Sequence, residues 1–446
     1  MNSFSLSCLM LATVFCSSVI AADHVKLPET TMTGKELFAH KWSMEEGLGP
    51  LFNETSCIGC HFQSGPGGGG SNDKNVDLLT VDVPSQMSDQ YRSNFAQRVI
   101  KTHPHFTTNN SSIVFHKFAL DPEYPVWRGG VLGFAPPKRS AGLARQRALL
   151  AYELRRRESS PLATFQHDGV TLIMSTRNTP ALFGAGLLDQ VPDETPIDIA
   201  KSQESLASGV SGRFAGKFGW RGQTRSLAAF VMGACGNEIG LQGTRHKQSK
   251  DPLSMDFVNA TNDLSDADGD KLIAFVAALP RPRRIIPGEN LRMQAMLSNG
   301  ESVFHSIGCA ECHVPDLGNA KDVFSDLLLH DLGPALGDPV TAPQGQRLIG
   351  QIQDAGSGYF GGGTRDIFEP LDSNLTQEWK TPPLWGCADS GPYLHDGRAA
   401  TLHEAIMLHA GEAEQSRRRY VDIDAASRSR MLAFLSTLHA PQRREM

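Results

Sequence analysis

The amino-acid sequence predicts a mainly α-helical chain built from two related halves. Three observations support this fold class. A cysteine–histidine motif occurs twice, a second motif follows each copy, and strand-like alternation of apolar and polar residues is rare. A chain of 446 residues is too long for one compact core and suggests two domains. The net charge of −6 gives no reason to expect a nucleic-acid partner.

The N-terminal segment predicts export. An apolar stretch from about Leu6 to Val14 is followed by small residues and an Ala-x-Ala-like end at Ala21-Ala22, which is typical of a secretory signal peptide. We therefore expect residues 1–22 to be removed. No later stretch reaches the ~20 apolar residues that a membrane span needs, so we expect a soluble, exported mature chain.

The motif that occurs twice is C-x-x-C-H, at Cys57–His61 and at Cys309–His313. Two thiols at this spacing can form thioethers with the vinyl groups of a porphyrin, and the next residue places an imidazole under the iron. The sequence therefore predicts two covalently bound c-type haems. The cofactor-binding residues are Cys57, Cys60, His61, Cys309, Cys312 and His313, and both histidines are iron ligands.

Other chemistry for these cysteines stays open at this point. Two Cys pairs could meet in one tetrahedral zinc site of a structural protein, or a pair could act as a redox dithiol. Both alternatives leave the histidine after each pair unexplained. Two further cysteines, Cys235 and Cys387, could form a disulfide between the halves or stay as buried thiols.

The second repeated feature is Thr-Pro-x-Leu-aromatic-Gly, within Arg177–Gly186 and again within Lys380–Ala388. Further along, "WRGQTRSL" from Trp220 aligns with "HDGRAATL" from His395. Each of these ends in a Ser/Thr-Leu pair that opens a helix. A haem motif followed by the same two features, in the same order, indicates two related haem domains.

The boundary between these domains is expected in the proline-containing stretch Leu279–Asn290. This gives an N-terminal haem domain over residues 23–285, with long loop insertions, and a C-terminal haem domain over residues 286–446. Helices are expected from Ser265-x-x-Asp268 to about Leu279, from Gly142 to Arg157, and from Glu289 into the second haem motif.

With these motifs the sequence resembles the bacterial di-haem cytochrome c peroxidase superfamily, and most closely the di-haem oxidoreductases often labelled thiol oxidoreductases. The residues that carry the resemblance are both haem motifs, "LFNETSCIGCH", "RNTPALFGAG", "LLLHDLG" and "WKTPPLWGCADSGPYLHDGRAATLHEAI". They span nearly all of the mature chain. The resemblance implies two cytochrome c-like helical domains in the periplasm. It further implies a calcium ion, a small redox protein or quinol-chain electron partner, and a small oxidant or organic substrate.

The resemblance also implies a second iron ligand in the C-terminal half. In the family this ligand lies fourteen residues after the His of the His-Asp-Gly motif, which here gives His409, where the peroxidases usually carry Met. The helix pattern agrees, because a capping box at Thr401-x-x-Glu404 starts a helix whose apolar face includes His409 but not His403. Two histidines would give a lower potential than Met ligation. The alternatives are a buried structural His409, with Met407 or a more distant residue on the iron.

The same alignment gives a different result for the first haem. Ala234 takes the place of His409 and cannot ligate iron, which leaves this haem open unless a distant residue serves. The distant candidates are His103, His105, His116, His167, Met174 and Met232. The family's proton-shuttling acid is replaced here by Ala228, so Glu238 is the one catalytic candidate, against the alternative of a solvated glutamate.

We therefore expect an exported di-haem oxidoreductase of the peroxidase type, whose C-terminal haem relays electrons to or from an open N-terminal haem. The alternative is a non-catalytic di-haem electron carrier with both irons six-coordinate. A zinc-binding structural protein is the third hypothesis.

Overall fold

The computed structural model describes residues 29–83, 88–106, 111–133, 146–147, 162–254, 259, 261–286, 288, 290–338, 346–352, 365–370 and 375–442. The expected signal peptide and nearly all of the expected helix Gly142–Arg157 lie outside these residues. Within them, no helix has the length and apolar character that a membrane crossing requires.

Helices form the larger part of the described secondary structure. In chain order they are α1 Gly34–Ala39, α2 Asp89–Thr102, α3 Tyr124–Val131, α4 Ala185–Asp189, α5 Glu194–Gln203, α6 Leu227–Glu238, α7 Asp266–Ala277, α8 Leu291–Ser306, α9 Leu402–Met407, α10 Glu414–Asp422 and α11 Ala425–Leu435. Each haem motif begins with a single 3-10 turn, at Cys57–Gly59 and Cys309–Glu311. In the C-terminal half, α8 packs along α11 over a core of aromatic rings that includes Phe304 and Phe434.

The strands are short and pair antiparallel. In chain order they are β1 Leu51–Phe52, β2 Val76–Val81, β3 Ser112–Val114, β4 Phe118–Ala119, β5 Ala163–His167, β6 Val170–Arg177, β7 Arg283–Arg284, β8 Leu329–Asp331, β9 Gln346–Ile352, β10 Arg365–Pro370, β11 Glu378–Lys380 and β12 Leu438–His439. Because β7 pairs with β12, residues just before position 285 pack with the C-terminal half.

The long insertion in the N-terminal half contains a four-stranded sheet in the order β3-β2-β6-β5, with its own hydrophobic core. The expectation of loop insertions is wrong for this part of the chain. Every residue of β2 is buried, including the polar residues Asp77 and Thr80, so its sequence lacks the regular alternation of a half-exposed strand. That is why the sequence does not identify β2 as a strand.

Side-chain caps start the helices that matter for the repeat. The Ser226 hydroxyl accepts a hydrogen bond from the Ala229 amide at the start of α6. At the start of α9, Thr401 and Glu404 form the reciprocal capping box, as the sequence predicts. At the start of α7, the Ser265 hydroxyl accepts a hydrogen bond from the Asp268 amide, without the reciprocal bond. The predicted starts of α7 and α9 are confirmed.

The two aligned segments before α6 and α9 have the same local structure. An isolated β-bridge joins Phe218 to Thr224 in the first half, and another joins Tyr393 to Ala399 in the second. Each bridge encloses a glycine at positive φ, 63° at Gly222 and 73° at Gly397, a conformation that favours glycine. The sequence repeat is therefore also a structural repeat.

The two halves also exchange backbone hydrogen bonds reciprocally. The Asn178 amide donates to the His395 carbonyl at 2.7 Å, and the Lys380 amide donates to the Trp220 carbonyl at 2.9 Å. In the repeat, Asn178 is equivalent to Lys380 and Trp220 is equivalent to His395. Each Thr-Pro segment thus binds the aligned turn of the other half, as in an assembly with approximate twofold symmetry.

Candidate functional site: two cavities with a cysteine pair and a histidine

Each C-x-x-C-H motif lines a cavity of its own. Cys57, Cys60 and His61 line the first cavity, and the second motif lines the second cavity. Within the described part of the chain, the cluster able to hold a bare metal ion is formed by Cys312, Asp326 and His330. The four motif cysteines therefore do not meet in one zinc site. A thiol, carboxylate and imidazole set also differs from the oxygen ligands that calcium prefers.

The motif histidines have the hydrogen bonds expected of iron ligands. Nδ1 of His61 donates to the Pro180 carbonyl at 3.1 Å and lies 3.3 Å from the Gly68 carbonyl. Nδ1 of His313 donates to the Phe324 carbonyl at 2.9 Å. A ring nitrogen fixed in this way orients the imidazole and leaves Nε2 for a metal. Burial lowers the pKa of both rings to about 4, which keeps them neutral, as ligation requires.

The glycine-rich loop after the first motif folds back over His61. The Gly67 amide donates to the His61 carbonyl, and the Gly68 carbonyl faces the His61 ring. A Cβ at Gly68 would lie 1.6 Å from the Gln63 carbonyl oxygen, so only glycine permits this approach. The loop therefore holds the His61 ring in position, which the glycine-rich composition alone does not indicate.

His409 lines the second cavity together with His313. It lies two residues beyond the end of α9, and its Nδ1 donates to the Ala405 carbonyl at 2.7 Å. Burial lowers the pKa of His409, and its proximity contributes to the lowered pKa of His313. His403 is exposed, and its Nδ1 lies 2.8 Å from the Tyr420 hydroxyl. The structure therefore brings His409, and not His403, to the cavity.

The wall of the first cavity that α6 supplies has no ligating imidazole. Phe230, Val231, Ala234 and Glu238 contribute this wall. None of the six distant histidine and methionine candidates lines the cavity among the residues that the structure describes. His116 instead donates from Nε2 to the Asn237 carbonyl, and Met174 lies in the core of the sheet.

Glu238 is a half-buried cavity residue rather than a solvated glutamate. Burial raises its pKa to about 7, although a 2.7 Å hydrogen bond from Asn53 and the charge of Lys117 act in the opposite direction. Glu54 lines the same cavity but behaves differently. Burial raises its pKa, yet the ion pair with Lys74 at 2.8 Å and further hydrogen bonds outweigh burial and lower it. One cavity thus holds a carboxyl group with a raised pKa, Glu238, and a carboxyl group with a lowered pKa, Glu54.

The motif "LLLHDLG" contributes a residue whose place the sequence did not reveal. His330 is buried, with Nδ1 2.7 Å from Glu412 and Nε2 2.9 Å from Asp326. Burial lowers its pKa, but the adjacent Cys312 sulfur and the two carboxylates raise it well above its usual value. The His330 imidazole thus bridges two carboxylates, and both act to favour its protonated form.

The aligned turns meet around a buried tryptophan, Trp379. The His395 ring stacks on it at a centroid distance of 3.5 Å, and the guanidinium groups of Arg177 and Arg221 lie 5.0 Å and 3.9 Å from its ring centre. Arg177 also pairs with the buried Asp338. His395 thus lines the second cavity beside Trp379, and it contacts the first half through its carbonyl.

Cys235 and Cys387 are not joined in a disulfide; both are free, buried thiols. Cys235 lines the first cavity, whereas the Cys387 sulfur donates to the Leu435 carbonyl at 3.4 Å in the C-terminal core. The sequence allowed either a disulfide or two buried thiols, and the structure contains two buried thiols.

Two cavities, each with a cysteine pair and a carbonyl-fixed histidine, define a di-haem redox protein. Residues 153–438 match the family model described as "Di-haem oxidoreductase, putative peroxidase", and the chain belongs to this di-haem oxidoreductase family. The matched segment contains the second haem motif and both Thr-Pro turns, while the first haem motif precedes it.

Similar proteins are found among curated sequences and solved structures. The gamma subunit of hydrazine synthase from Kuenenia stuttgartiensis is 30% identical over 157 residues, which are 34% of this chain and 43% of that subunit. The chain thus matches less than half of that relative's length. A structure of Kuenenia stuttgartiensis hydrazine synthase pressurised with xenon shares 20% identity over 59% of this chain and 73% of its own, with a TM-score of 0.33. A MauG-like protein associated with microbial copper homeostasis shares 18% identity over the same fractions, with a TM-score of 0.31.

Proposed function

We propose that this chain is an exported, periplasmic di-haem c-type cytochrome oxidoreductase of the peroxidase type. Covalent haems attached at Cys57/Cys60 and at Cys309/Cys312 would supply one-electron chemistry in the two cavities. The second cavity serves electron transfer, and the first accepts a small oxidant or organic substrate. The haem-bearing parts form two cytochrome c-like domains, residues 23–285 and 286–446.

The observation that carries this proposal is the difference between two equivalent positions. In the second cavity His313 and His409 would both hold the haem iron, and no coordination position would be left for a substrate. In the first cavity the residue equivalent to His409 is Ala234, whose methyl group cannot ligate. One protected site and one open site are what an enzyme needs to separate electron storage from substrate binding.

Glu238 supports substrate chemistry in the first cavity. Reduction of a peroxide to water consumes protons, and a carboxyl with a pKa near 7 can give and regain a proton at neutral pH. Glu238 lies on the same wall as Ala234, one helical turn further along α6. Asn53 holds one of its carboxyl oxygens and fixes its orientation.

The segment between the cavities supports electron transfer from one site to the other. Asn178, Thr179, Pro180 and Leu182 line both cavities. The Pro180 carbonyl accepts the hydrogen bond of His61, so one ligand is tied directly to the shared wall. His61 is therefore hydrogen-bonded to a segment that also lines the second cavity.

Electron paramagnetic resonance of the oxidised holoprotein tests the proposal. We expect one high-spin and one low-spin signal of equal intensity, and cyanide should convert only the high-spin signal. Peroxide added to the reduced protein should oxidise both haems. Two low-spin signals that cyanide leaves unchanged would instead establish the electron-carrier alternative.

Protein made with a working haem-attachment system gives the other decisive result. A Soret band and two equivalents of covalently attached haem are expected. Absence of the band would refute the haem proposal. The cysteine pairs would then have to serve as zinc ligands or as redox dithiols. The calcium ion that the resemblance implies is tested separately, by metal analysis of the same preparation.

A further inference from the structure

In the wall of the second cavity, the buried ammonium group of Lys380 has no partner within the described part of the chain. Lys380 is 7% exposed. It is the last residue of β11 and directly precedes the Thr-Pro segment. Its ammonium group has neither a hydrogen-bond acceptor nor an ion-pair partner among the residues that the structure describes. An unpaired buried ammonium costs several kcal/mol, and buried charges in proteins are normally paired.

The nearby carboxylates already have partners. Asp326 accepts hydrogen bonds from His330, from the Gln203 side chain and from the Leu328 amide. Glu412 accepts from His330 and from the Ser211 and Asp331 amides. Neither forms an ion pair with Lys380, although the charge of Asp326 acts on it.

A second lysine in the same cavity wall shows the contrast. Lys217 is also 7% exposed. Its ammonium donates to the Asp189 carbonyl at 2.9 Å and lies 3.2 Å from the Asp193 carboxylate. Two lysines of equal burial thus differ in one respect: Lys217 pairs with Asp193, whereas the described ranges contain no ion-pair partner for Lys380.

The ligand proposed for this cavity carries the missing charge, because a haem has two propionate carboxylates on one edge. We propose that the Lys380 ammonium forms an ion pair with one propionate of the haem in the second cavity. This inference rests on the proposed function. The pKa of Lys380 is lowered by burial to about 8, and a buried carboxylate against it would restore the charged form.

The test compares three variants of the holoprotein, Lys380→Met, Lys380→Arg and Lys217→Met. Resonance Raman spectra report the propionate bending mode, and spectroelectrochemistry reports the midpoint potential of the low-spin haem. Lys380→Met should shift the bending mode. It should also lower the ferrous-to-ferric ratio about tenfold at a fixed applied potential, which is about 59 mV for one electron. The reason is that reduction adds a negative charge that Lys380 stabilises.

The controls keep this inference separable from the haem proposal. Lys380→Arg should keep the wild-type bending mode and midpoint potential because it keeps the positive charge. Lys217→Met should leave the bending mode unchanged. A Lys380→Met protein that binds haem normally and keeps the wild-type bending mode would overturn the ion pair alone. An equal shift in Lys217→Met would also overturn it. A wild-type protein without haem would overturn the proposed function instead.

Discussion

Glu238→Gln should stabilise the protein, and by more as the pH rises. The folded protein holds the pKa of Glu238 at about 7, against an ordinary value of 4.5. At about 1.36 kcal/mol per pKa unit, keeping this carboxylate ionised in the folded protein costs about 3 kcal/mol. Glutamine keeps the shape and a hydrogen-bonding oxygen for Asn53 but never ionises, so the variant avoids this cost.

The sign of the effect follows from linkage. Below pH 4.5 the carboxyl is protonated in both the folded and the unfolded chain, and it costs nothing. Between pH 4.5 and about 7 the unfolded chain has released the proton and the folded chain has not, so the cost grows. We expect the variant to gain about 1 kcal/mol at pH 5 and about 3 kcal/mol at pH 8 in urea-induced unfolding of the holoprotein.

Glu54→Gln is the matched control, because Glu54 lines the same cavity with the opposite tendency. Its pKa is lowered, so its ion pairs with Lys74 and Arg147 stabilise the fold at neutral pH and lose their effect as the pH falls through the folded pKa. Glu54→Gln should therefore destabilise the protein by a constant amount between pH 6 and pH 8. If the gain of Glu238→Gln did not grow with pH, or if both variants had the same pH dependence, the assignment of Glu238 as a proton-holding acid would be wrong.

Four further variants test the iron ligands and the attachment sites. His409→Met should raise the midpoint potential of the low-spin haem, since Met ligation favours the reduced state; an unchanged potential in spectroelectrochemistry would show that His409 is not a ligand. Ala234→His should turn the high-spin resonance signal into a low-spin one and block cyanide binding, and persistence of the high-spin signal would contradict the repeat alignment. Cys57→Ala/Cys60→Ala should remove one covalent haem by mass spectrometry, and Cys309→Ala/Cys312→Ala the other; loss of both haems from either pair would contradict independent sites.

Local sequence signals predicted much of the helical part of this fold. The capping boxes and caps at Thr401 and Ser265 define helix starts within a few residues, so α9 and α7 begin where the sequence indicates. The placement of Ala234 and His409 could also be predicted, because an alignment of two repeats transfers position without any knowledge of tertiary contacts.

Features that depend on burial by distant segments could not be predicted. The strand β2 is buried on both faces and includes the polar residues Asp77 and Thr80, so its sequence lacks the alternation that would identify a strand. The pKa of Glu238 is raised by burial, against the opposing effects of Asn53 and Lys117, and the local sequence does not show this burial. His330 and Lys380 were overlooked for the same reason, since their importance lies in which charged groups surround them.

The reciprocal hydrogen bonds between the halves have a consequence for how the protein is made. The Asn178 amide donates to the His395 carbonyl, and the Trp220 carbonyl accepts from the Lys380 amide. During synthesis, these backbone groups of the N-terminal half therefore have no partner until residues 380 and 395 have been made. Contacts between residues so distant in sequence form slowly. We expect each half, produced as a separate fragment, to expose these unpaired edges and aggregate, and co-production of both fragments to rescue them.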